Sequence, residues 1–383
     1  MGIDRCFNLM DFRRIAKRKL PAPVFHYIDG GADDEWSLRR NTEAYNDYEL
    51  QPAHLSDVSK IQTGTTLFGK PVDWPVMIAP TGASRLFHAG GEPAVARAAG
   101  KFGIPYSLST VGTTTIEDIG AIGDHPKVFQ IYVFKDRGMT RAFVERCKAS
   151  NYAALCLTVD TPVAGNRERD YVYGMMATAK PALASVPSML RHPGWLYRAV
   201  VRKDMELVNI TQGDNVQKFT DASVMDFIDS QFDRSLTWKD VEWLAGEWGG
   251  PLIIKGVQTV DDCRKAADSG ATAVMLSNHG GRQLEGTPAP VDCIPAVADA
   301  LRDRLEIICD GGVRRGTHVV KALALGAHAC SIGRGYLYAL AAGGQPGVER
   351  GLGLLRGEVE RTMALLGCDS VDKLDGRFVR KRV

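Results

Sequence analysis

The 383-residue sequence lacks the patterns of a metal site, a disulfide framework or a membrane span. Its eight histidines form no HxH or HExxH arrangement, and we therefore expect no bound metal. Its eight cysteines form no CxxC pair and several lie in apolar runs, which indicates buried free thiols in a reducing cytosol. No apolar run reaches the ~18 residues that a transmembrane helix needs.

The sequence also has little net charge and no obvious linker. A formal net charge of +2 gives no reason to expect nucleic-acid binding. The first residues, MGIDRCFNLMDF, lack the apolar stretch of a signal peptide, and so we expect a cytoplasmic protein. Because no low-complexity segment interrupts the chain, we expect a single domain over residues 1–383.

Eight short apolar runs, separated by helical patterns, dominate the rest of the sequence. They occupy residues 76–80, 106–110, 128–133, 153–160, 252–256, 273–278, 306–312 and 329–334. Runs that are apolar almost throughout are typical of parallel strands buried on both faces. The alternation predicts an α/β protein with a (β/α)8 TIM barrel over about residues 76–345. A doubly wound open sheet is the alternative, and the count of eight favours the barrel.

Two segments do not fit the regular alternation. The long gap after the fourth run predicts an insertion over about residues 165–235, at the face of the barrel that holds active sites. The first ~75 residues precede the barrel and begin with the helical pattern LMDFRRIAKRKL, which Pro21 stops. We therefore expect an N-terminal helical extension.

In a (β/α)8 barrel the strand ends converge on one site, and here those ends are polar. Glycines and arginines follow the last two strands, where this architecture usually binds a phosphate. Glycines alone are weak evidence because turns also need them. The residues at the strand ends are Pro80, Thr81, Gly82, Ser109, Val111, Gln130, Tyr132, Thr158, Asp160, Arg167, Lys255, Ser277, His279, Arg282, Asp310, Gly311, Gly312, Arg314, Gly333 and Arg334.

His279 is the natural general base, because an imidazole titrates near neutral pH. Asp160 would hold its tautomer and stabilise its protonated form. Arg282 and Arg167 offer two guanidinium groups, each able to bind a carboxylate through two N–H groups, and Tyr132 and Tyr27 add hydroxyl groups. A structural hydrogen bond or salt bridge would explain any one of these residues alone. Together they indicate proton abstraction next to a carboxylate.

Lys255, at the end of the fifth strand, has two functional interpretations. A desolvated lysine can form a Schiff base with a carbonyl substrate. It can also be a fixed positive charge beside a cofactor that becomes anionic. A lysine paired with a carboxylate at the edge of the core is the structural alternative, and composition does not choose among them.

Several motifs together resemble one enzyme family. SNHGGRQ, DGGVRRG, IGR, FQIYVFKDR and LTVDTP, between about Asp11 and Met363, are similar to the FMN-dependent L-2-hydroxy acid dehydrogenases and oxidases. The STV sequence followed by a small residue resembles the bacterial quinone-linked L-lactate dehydrogenases in particular. The resemblance implies a (β/α)8 barrel, FMN as the cofactor and a homotetramer.

The resemblance also implies a role for each matching residue. His279 would be the catalytic base with Asp160 as its partner, and Tyr132 would bond the substrate hydroxyl. Lys255 would lie beside the flavin N1/O2 edge, against the Schiff-base interpretation. Tyr27, Arg282 and Arg167 would bind the substrate carboxylate, with Val111 in the pocket wall. Ser109, Gln130 and Thr158 would bond the isoalloxazine, and Asp310, Gly312, Arg314, Gly333 and Arg334 would hold the ribityl phosphate. The other expected cofactor-binding residues are Pro80, Thr81, Gly82, Ser277 and Gly311.

Three features distinguish this chain within the family pattern. Val111 stands where glycolate oxidases carry tryptophan, and Gly82 stands where many oxidases carry alanine. The segment 190–211 mixes aromatic and aliphatic with basic residues, as in relatives that dock on a membrane. It is therefore a candidate for peripheral contact with the inner face of the cell membrane. The alternative is a loop packed over the barrel mouth or a subunit interface.

The leading hypothesis is oxidation of an L-2-hydroxy acid, with L-lactate favoured, and transfer of the electrons to a quinone. The second hypothesis keeps this chemistry but uses O2 and releases hydrogen peroxide, as a soluble oxidase would. The third is a flavin-free lyase that forms a Schiff base through Lys255. A non-catalytic binding protein is the last alternative.

Overall fold

The structure, a computed structural model, describes residues 2–175, 185–211 and 232–382. Of the predicted insertion, residues 176–184 and 212–231 lie outside these ranges. The described strands are β1 (Tyr48–Leu50), β2 (Thr65–Leu67), β3 (Lys70–Val72), β4 (Val76–Thr81), β5 (Tyr106–Ser109), β6 (Lys127–Ile131), β7 (Ala154–Thr158), β8 (Leu252–Val257), β9 (Ala273–Ser277), β10 (Glu306–Asp310), β11 (Ala329–Ile332) and β12 (Val379–Lys381).

Fifteen described α-helices accompany the strands. They are α1 (Leu9–Lys19), α2 (Ala22–Asp29), α3 (Trp36–Glu43), α4 (Gly91–Lys101), α5 (Ile116–Gly120), α6 (Arg137–Ala149), α7 (Glu168–Val172), α8 (Val186–Leu190), α9 (Pro193–Tyr197), α10 (Val208–Thr211), α11 (Trp238–Trp248), α12 (Val260–Asp268), α13 (Pro290–Leu301), α14 (Gly316–Ala324) and α15 (Arg334–Leu366). A π-helical turn, Arg198–Arg202, follows α9. Helix α15 is two helices joined by a kink at Gly343 and Gly344.

Strands β4 to β11 close into a barrel in which every neighbouring pair is parallel. This confirms the predicted (β/α)8 architecture. The strands are buried along almost their whole length, because side chains pack inside the barrel on one face and against helices on the other. Because each strand is buried on both faces, its sequence is apolar almost throughout rather than alternating.

Six of the barrel strands end one or two residues before their apolar runs do. Two of these differences affect the site, because β6 ends at Ile131 and β7 ends at Thr158, so that Tyr132 and Asp160 stand in the loops that follow. The start of α12 agrees with its local sequence. Thr259 caps α12 by accepting a hydrogen bond from the Asp262 N–H, as its position before an acidic turn predicts.

A hairpin of β2 and β3 closes the amino-terminal end of the barrel. Leu67 and Val72 from its strands and Phe68 from its turn cluster with side chains of the barrel interior such as Met77 and Met275. The Phe68 N–H donates to the Glu306 carboxylate at the start of β10, at 3.0 Å. The hairpin therefore plugs one end of the barrel and leaves the carboxyl end for the site.

The described residues between β7 and α11 contact the loops that follow β4, β5 and β6. Trp195 donates from Nε1 to the Leu86 carbonyl at 2.8 Å. Asn209 donates to the Thr114 carbonyl at 2.9 Å. Phe232, where the chain returns to the barrel, forms an isolated bridge with Phe134. These described parts of the segment therefore lie over the carboxyl ends of the strands.

Candidate active site

A cavity of about 270 Å³ opens at the carboxyl end of the barrel. It gathers side chains from all parts of the barrel and from α2 of the N-terminal extension. The predicted residues on its wall are Tyr27, Pro80, Thr81, Gly82, Ser109, Val111, Gln130, Tyr132, Thr158, Arg167, Lys255, His279, Arg282, Asp310, Gly311, Gly312, Arg314, Gly333 and Arg334. The two other predicted residues, Asp160 and Ser277, lie behind His279 and Lys255.

His279 and Asp160 form a hydrogen-bonded pair. The Nδ1 atom of His279 lies 3.0 Å from Asp160 Oδ1, which leaves Nε2 as the ring nitrogen that can take a proton. His279, Gly280 and Gly281 all have left-handed backbone conformations, with φ of 58°, 66° and 73°. A Cβ on Gly281 would lie 2.5 Å from the Leu38 backbone nitrogen. This turn is therefore fixed by close packing against α3.

Charge and burial act on the pair in opposite directions. Burial and the Lys255 ammonium lower the pKa of His279 below its ordinary 6.5, against the pull of Asp160. Burial alone would raise the pKa of Asp160, but His279 and Lys255 hold it below its ordinary value. His279 is therefore neutral and Asp160 is ionised at neutral pH, which is the state that a general base requires.

Two arginines converge on the ring of Tyr27. The guanidinium carbon of Arg282 lies 4.9 Å from the ring centre and that of Arg167 lies 5.7 Å from it. Burial and the neighbouring Arg167 lower the pKa of Arg282, because two buried cations repel each other. Asp170 balances part of this charge, 3.3 Å from Arg167. Such a pair of cations favours an anionic ligand.

Lys255 belongs to a buried polar cluster with Ser277 and Asp310. Its Nζ atom donates to Ser277 Oγ at 3.3 Å and lies 3.8 Å from Asp310. Ser277 Oγ in turn donates to Asp310 at 2.7 Å and accepts the His279 N–H at 3.0 Å. Burial alone would lower the pKa of Lys255, but Asp160 and Asp310 raise it above its ordinary value. A protonated lysine is a poor nucleophile, which argues against a Schiff base.

The far end of the cavity has the features of an anion site. Helix α15 begins at Arg334 with Gly333 as its N-cap and with no side chain capping it. The first N–H groups of a helix lack partners within the helix and attract anions. Arg314 also lines this end. The glycines here have a packing role as well, since a Cβ on Gly312 would lie 1.8 Å from the Asn41 carbonyl oxygen.

Sequence reasoning missed several residues of the cavity wall. Phe232 packs edge-on against Tyr132, with ring centres 5.0 Å apart, but it comes from an irregular segment with no strand or helix signal. Ala164 and Thr161 follow β7 and are small residues without an obvious chemical role. The other missed residues are Ile28, Ala79, Phe87, Gly280, Gln283, Val313, Ser331 and Leu337.

Comparison with known proteins decides the family. The profile of the FMN-dependent dehydrogenases matches residues 16–381. The chain belongs to the FMN-dependent dehydrogenase family. It is 40% identical over 374 residues to the L-lactate dehydrogenase of Ectopseudomonas mendocina, covering 97% of this chain and 98% of that one. It is 41% identical over 370 residues to the L-lactate dehydrogenase of Xanthomonas campestris, covering 96% and 95%.

A solved structure agrees with this membership. The monotopic membrane protein (S)-mandelate dehydrogenase superposes with a TM-score of 0.91 at 34% identity, over 99% of this chain and 100% of that one. This FMN-dependent dehydrogenase is therefore a flavin oxidoreductase, as the motifs implied. Within the part of the chain that the structure describes, no helix is both long and apolar enough to cross a membrane.

The cavity of this dehydrogenase fits a flavin. The Nε2 atom of Gln130 and the hydroxyl of Thr158 are buried without a hydrogen-bond partner, although both residues line the cavity. Buried polar groups are normally satisfied, so these atoms indicate a polar ligand on this wall. Ser109 donates to Gln130 Oε1 at 2.8 Å, which directs the amide nitrogen of Gln130 away from Ser109. Lys255 lines the same cavity and would add a positive charge beside an anionic ligand.

Proposed function

We propose that this FMN-dependent dehydrogenase oxidises an L-2-hydroxy acid to the 2-oxo acid, with L-lactate as the preferred substrate. The His279–Asp160 pair beside the two arginines is the observation that carries the proposal. A base next to a site for a carboxylate suits a small acid whose hydroxyl and α-carbon must each lose hydrogen. The names of the relatives support the choice of L-lactate.

Each side chain has a defined part in this proposal. Arg282 and Arg167 bind the substrate carboxylate over the Tyr27 ring, and the Tyr132 hydroxyl orients the substrate hydroxyl. His279 accepts one proton at Nε2, and Asp160 stabilises the resulting imidazolium. When bound, FMN supplies the two-electron acceptor. His279 serves as the base whether the α-hydrogen leaves as a proton or as a hydride.

Different residues of the cavity would bind the two ends of the cofactor. Pro80, Thr81, Gly82, Ser109, Gln130 and Thr158 would face the isoalloxazine. Arg314, Gly333 and Arg334, with Gly311 and Gly312, would hold the phosphate at the start of α15. Asp310 is an anion paired with Lys255, and we therefore assign it to a ribityl hydroxyl rather than to the phosphate. Ser277 would act through Lys255 and Asp310.

Anaerobic mixing of the holoenzyme with L-lactate tests the reaction. We expect the flavin absorbance to bleach with L-lactate and to remain with D-lactate. His279→Gln should retain FMN but slow flavin reduction by about 10²–10⁴-fold, because that is the usual contribution of a general base. If no L-2-hydroxy acid bleaches the flavin, the proposal is wrong. Borohydride trapping of substrate on Lys255 would favour the lyase instead.

We further propose that the electrons pass to a quinone at a membrane surface. In the segment 190–211 four apolar side chains point to solvent: Leu190, Tyr197, Val200 and Val201 are 67%, 56%, 68% and 64% exposed. Arg191, Arg202 and Lys203 are exposed beside them. Trp195 and Arg198 instead turn toward the barrel, bonding the carbonyls of Leu86 and Arg85. An apolar patch with a basic rim suits an anionic bilayer.

Vesicle sedimentation tests this membrane contact. The variant Leu190→Ser/Val200→Ser/Val201→Ser should lose binding to anionic vesicles by about tenfold or more, because it removes the apolar surface that would be buried. Leu365→Ser is the matched control, since Leu365 is 74% exposed on α15 outside this segment. Equal binding by the triple variant and wild type would contradict the proposal.

The acceptor and the assembly have their own measurements. Reoxidation of the reduced enzyme should be faster with a quinone than with air, whereas an oxidase that uses O2 would give the reverse order. The homotetramer implied by the family resemblance predicts a mass of four chains in light scattering. Each chain has a mass of 41.7 kDa.

A further inference from the structure

The carboxyl end of α2 holds two cavity arginines through its backbone carbonyls. Arg282 donates from Nη1 to the carbonyls of Tyr27 (2.5 Å) and Gly30 (3.2 Å). Arg334 donates from Nε to the Ile28 carbonyl (2.8 Å) and from Nη2 to that of Gly30 (2.6 Å). The last carbonyls of a helix lack partners within the helix and carry partial negative charge, so they bind cations well. Arg334 also donates from Nη1 to the Gly280 carbonyl at 2.8 Å. The helix end thus accepts two of the three backbone bonds from Arg334 and both of those from Arg282, and the direction of each guanidinium depends on where this helix end lies.

Asp29 lies in this helix end and is itself held from three sides. Arg13 of α1 makes a bidentate ion pair with its carboxylate, at 2.6 and 2.7 Å. Tyr338 of α15 donates to Oδ1 at 2.8 Å, and Arg169 of α7 donates to Oδ2 at 3.2 Å. The Asp29 side chain is only 6% exposed. One carboxylate thus joins the N-terminal extension to α15 and to the segment that covers the strand ends.

Asp29 stays ionised although it is buried. Burial alone would raise the pKa of Asp29, but hydrogen bonds from Arg13 and Tyr338 outweigh it and hold the pKa below its ordinary value. Arg13 gains from the same contact, since the bond to Asp29 raises its pKa. Charge-assisted bonds of this kind are stronger than neutral ones and keep a fixed geometry.

We propose that Asp29 is a positioning residue, whose carboxylate fixes the end of α2 so that Arg282 and Arg334 present their remaining N–H groups to the cavity. Arg282 would thereby be aimed at the substrate and Arg334 at the cofactor phosphate. These two targets rest on the function proposed above. Asp29 touches neither ligand site itself, because its four bonds all go to Arg13, Tyr338 and Arg169.

Asp29→Asn in the holoenzyme tests the proposal. The substitution removes the charge that strengthens the bonds from Arg13, Tyr338 and Arg169. The loss of one such bond is enough to change an affinity by about tenfold. We expect KM for L-lactate and Kd for pyruvate, titrated by flavin fluorescence, each to rise about tenfold. The Kd of the apoprotein for FMN should also rise about tenfold. The kcat should stay within about threefold, since the change removes binding rather than the base.

Asp292→Asn is the matched control. Asp292 also accepts from an arginine and a tyrosine, Arg40 (2.8 Å) and Tyr48 (2.9 Å), but it contacts neither Arg282 nor Arg334. It should lower the Tm as Asp29→Asn does and leave KM and both Kd values within about twofold. If Asp29→Asn does not fold, Arg13→Gln removes two of the four bonds and should raise the same constants about threefold.

The proposal would be overturned if Asp29→Asn lowered the Tm but raised neither the KM nor either Kd. It would also be overturned if only the constants of the substrate and pyruvate, or only that of FMN, rose. In that case Asp29 would be structural, or one arginine would be held by other means. Failure of the proposed function gives a different result. A wild-type holoenzyme that no 2-hydroxy acid reduces would refute that function, while the FMN affinity of Asp29→Asn would still measure the effect on Arg334.

Discussion

His279 is the residue at which charge, burial and backbone conformation act together. Its backbone is left-handed, with φ of 58°, and its N–H donates to Ser277 Oγ. Lys255 and burial lower its pKa, and Asp160 raises it. As the proposed base it must be neutral, so the rate should fall as the pH drops through its folded-state pKa.

Asp160→Asn should move the pH at which the rate falls on the acid side to a lower value. Without the carboxylate, nothing offsets the lowering by burial and by Lys255, and the pKa of His279 falls further. The plateau rate should also drop, on the order of 10²-fold, because the imidazolium loses its partner. The measurement is the pH profile of kcat/KM for L-lactate. A shift to higher pH would contradict the assigned pair.

Gly82 and Val111 are coupled by their contact in the cavity wall. A Cβ on Gly82 would lie 2.5 Å from Val111 Cγ2, and valine has few rotamers with which to withdraw. Gly82→Ala should therefore lower the free energy of unfolding by about 1–3 kcal/mol. Thermal denaturation with FMN content provides the measurement. Gly82→Ala/Val111→Ala should recover most of the loss, and an equal loss in both variants would count against the contact.

The hairpin of β2 and β3 contributes to stability at the end of the barrel opposite the site. Phe68→Ala should lower the free energy of unfolding by about 3–5 kcal/mol, because it leaves a cavity where the Phe68 ring packs against the barrel interior. KM for L-lactate should remain unchanged. Chemical denaturation and steady-state kinetics measure the two effects separately. A changed KM with little loss of stability would show that this end is not independent of the site.

Regular elements were predictable from the sequence, and irregular ones were not. The barrel strands are buried on both faces, so each left a continuous apolar run, and their ends indicated where His279, Lys255 and Arg334 would meet. The contact of Phe232 with Tyr132 has no such signal, since Phe232 lies in a segment without periodicity. The bonds from Arg334 to Ile28 and Gly30 also had none, because backbone carbonyls are the same at every residue.

At the scale of the molecule, the cavity joins the N-terminal extension to the barrel. Residues of α2, the barrel strand ends and α15 all line it. A ligand that binds only the folded state stabilises the whole fold, by an amount that grows with the logarithm of the ligand concentration. Removal of FMN should therefore lower the Tm, and added FMN at about 100 times its Kd should restore about 2.7 kcal/mol. A Tm independent of FMN would contradict this.

The carbonyls that hold Arg334 have a consequence for the order of events during folding. The bond between Arg334 and the Ile28 carbonyl spans 306 residues, and that between Arg334 and the Gly30 carbonyl spans 304. Contacts between residues so far apart in the sequence close a large loop, and they form later than the local contacts within one strand–helix unit. We therefore expect the proposed phosphate site to be complete only after the N-terminal extension has docked on the barrel.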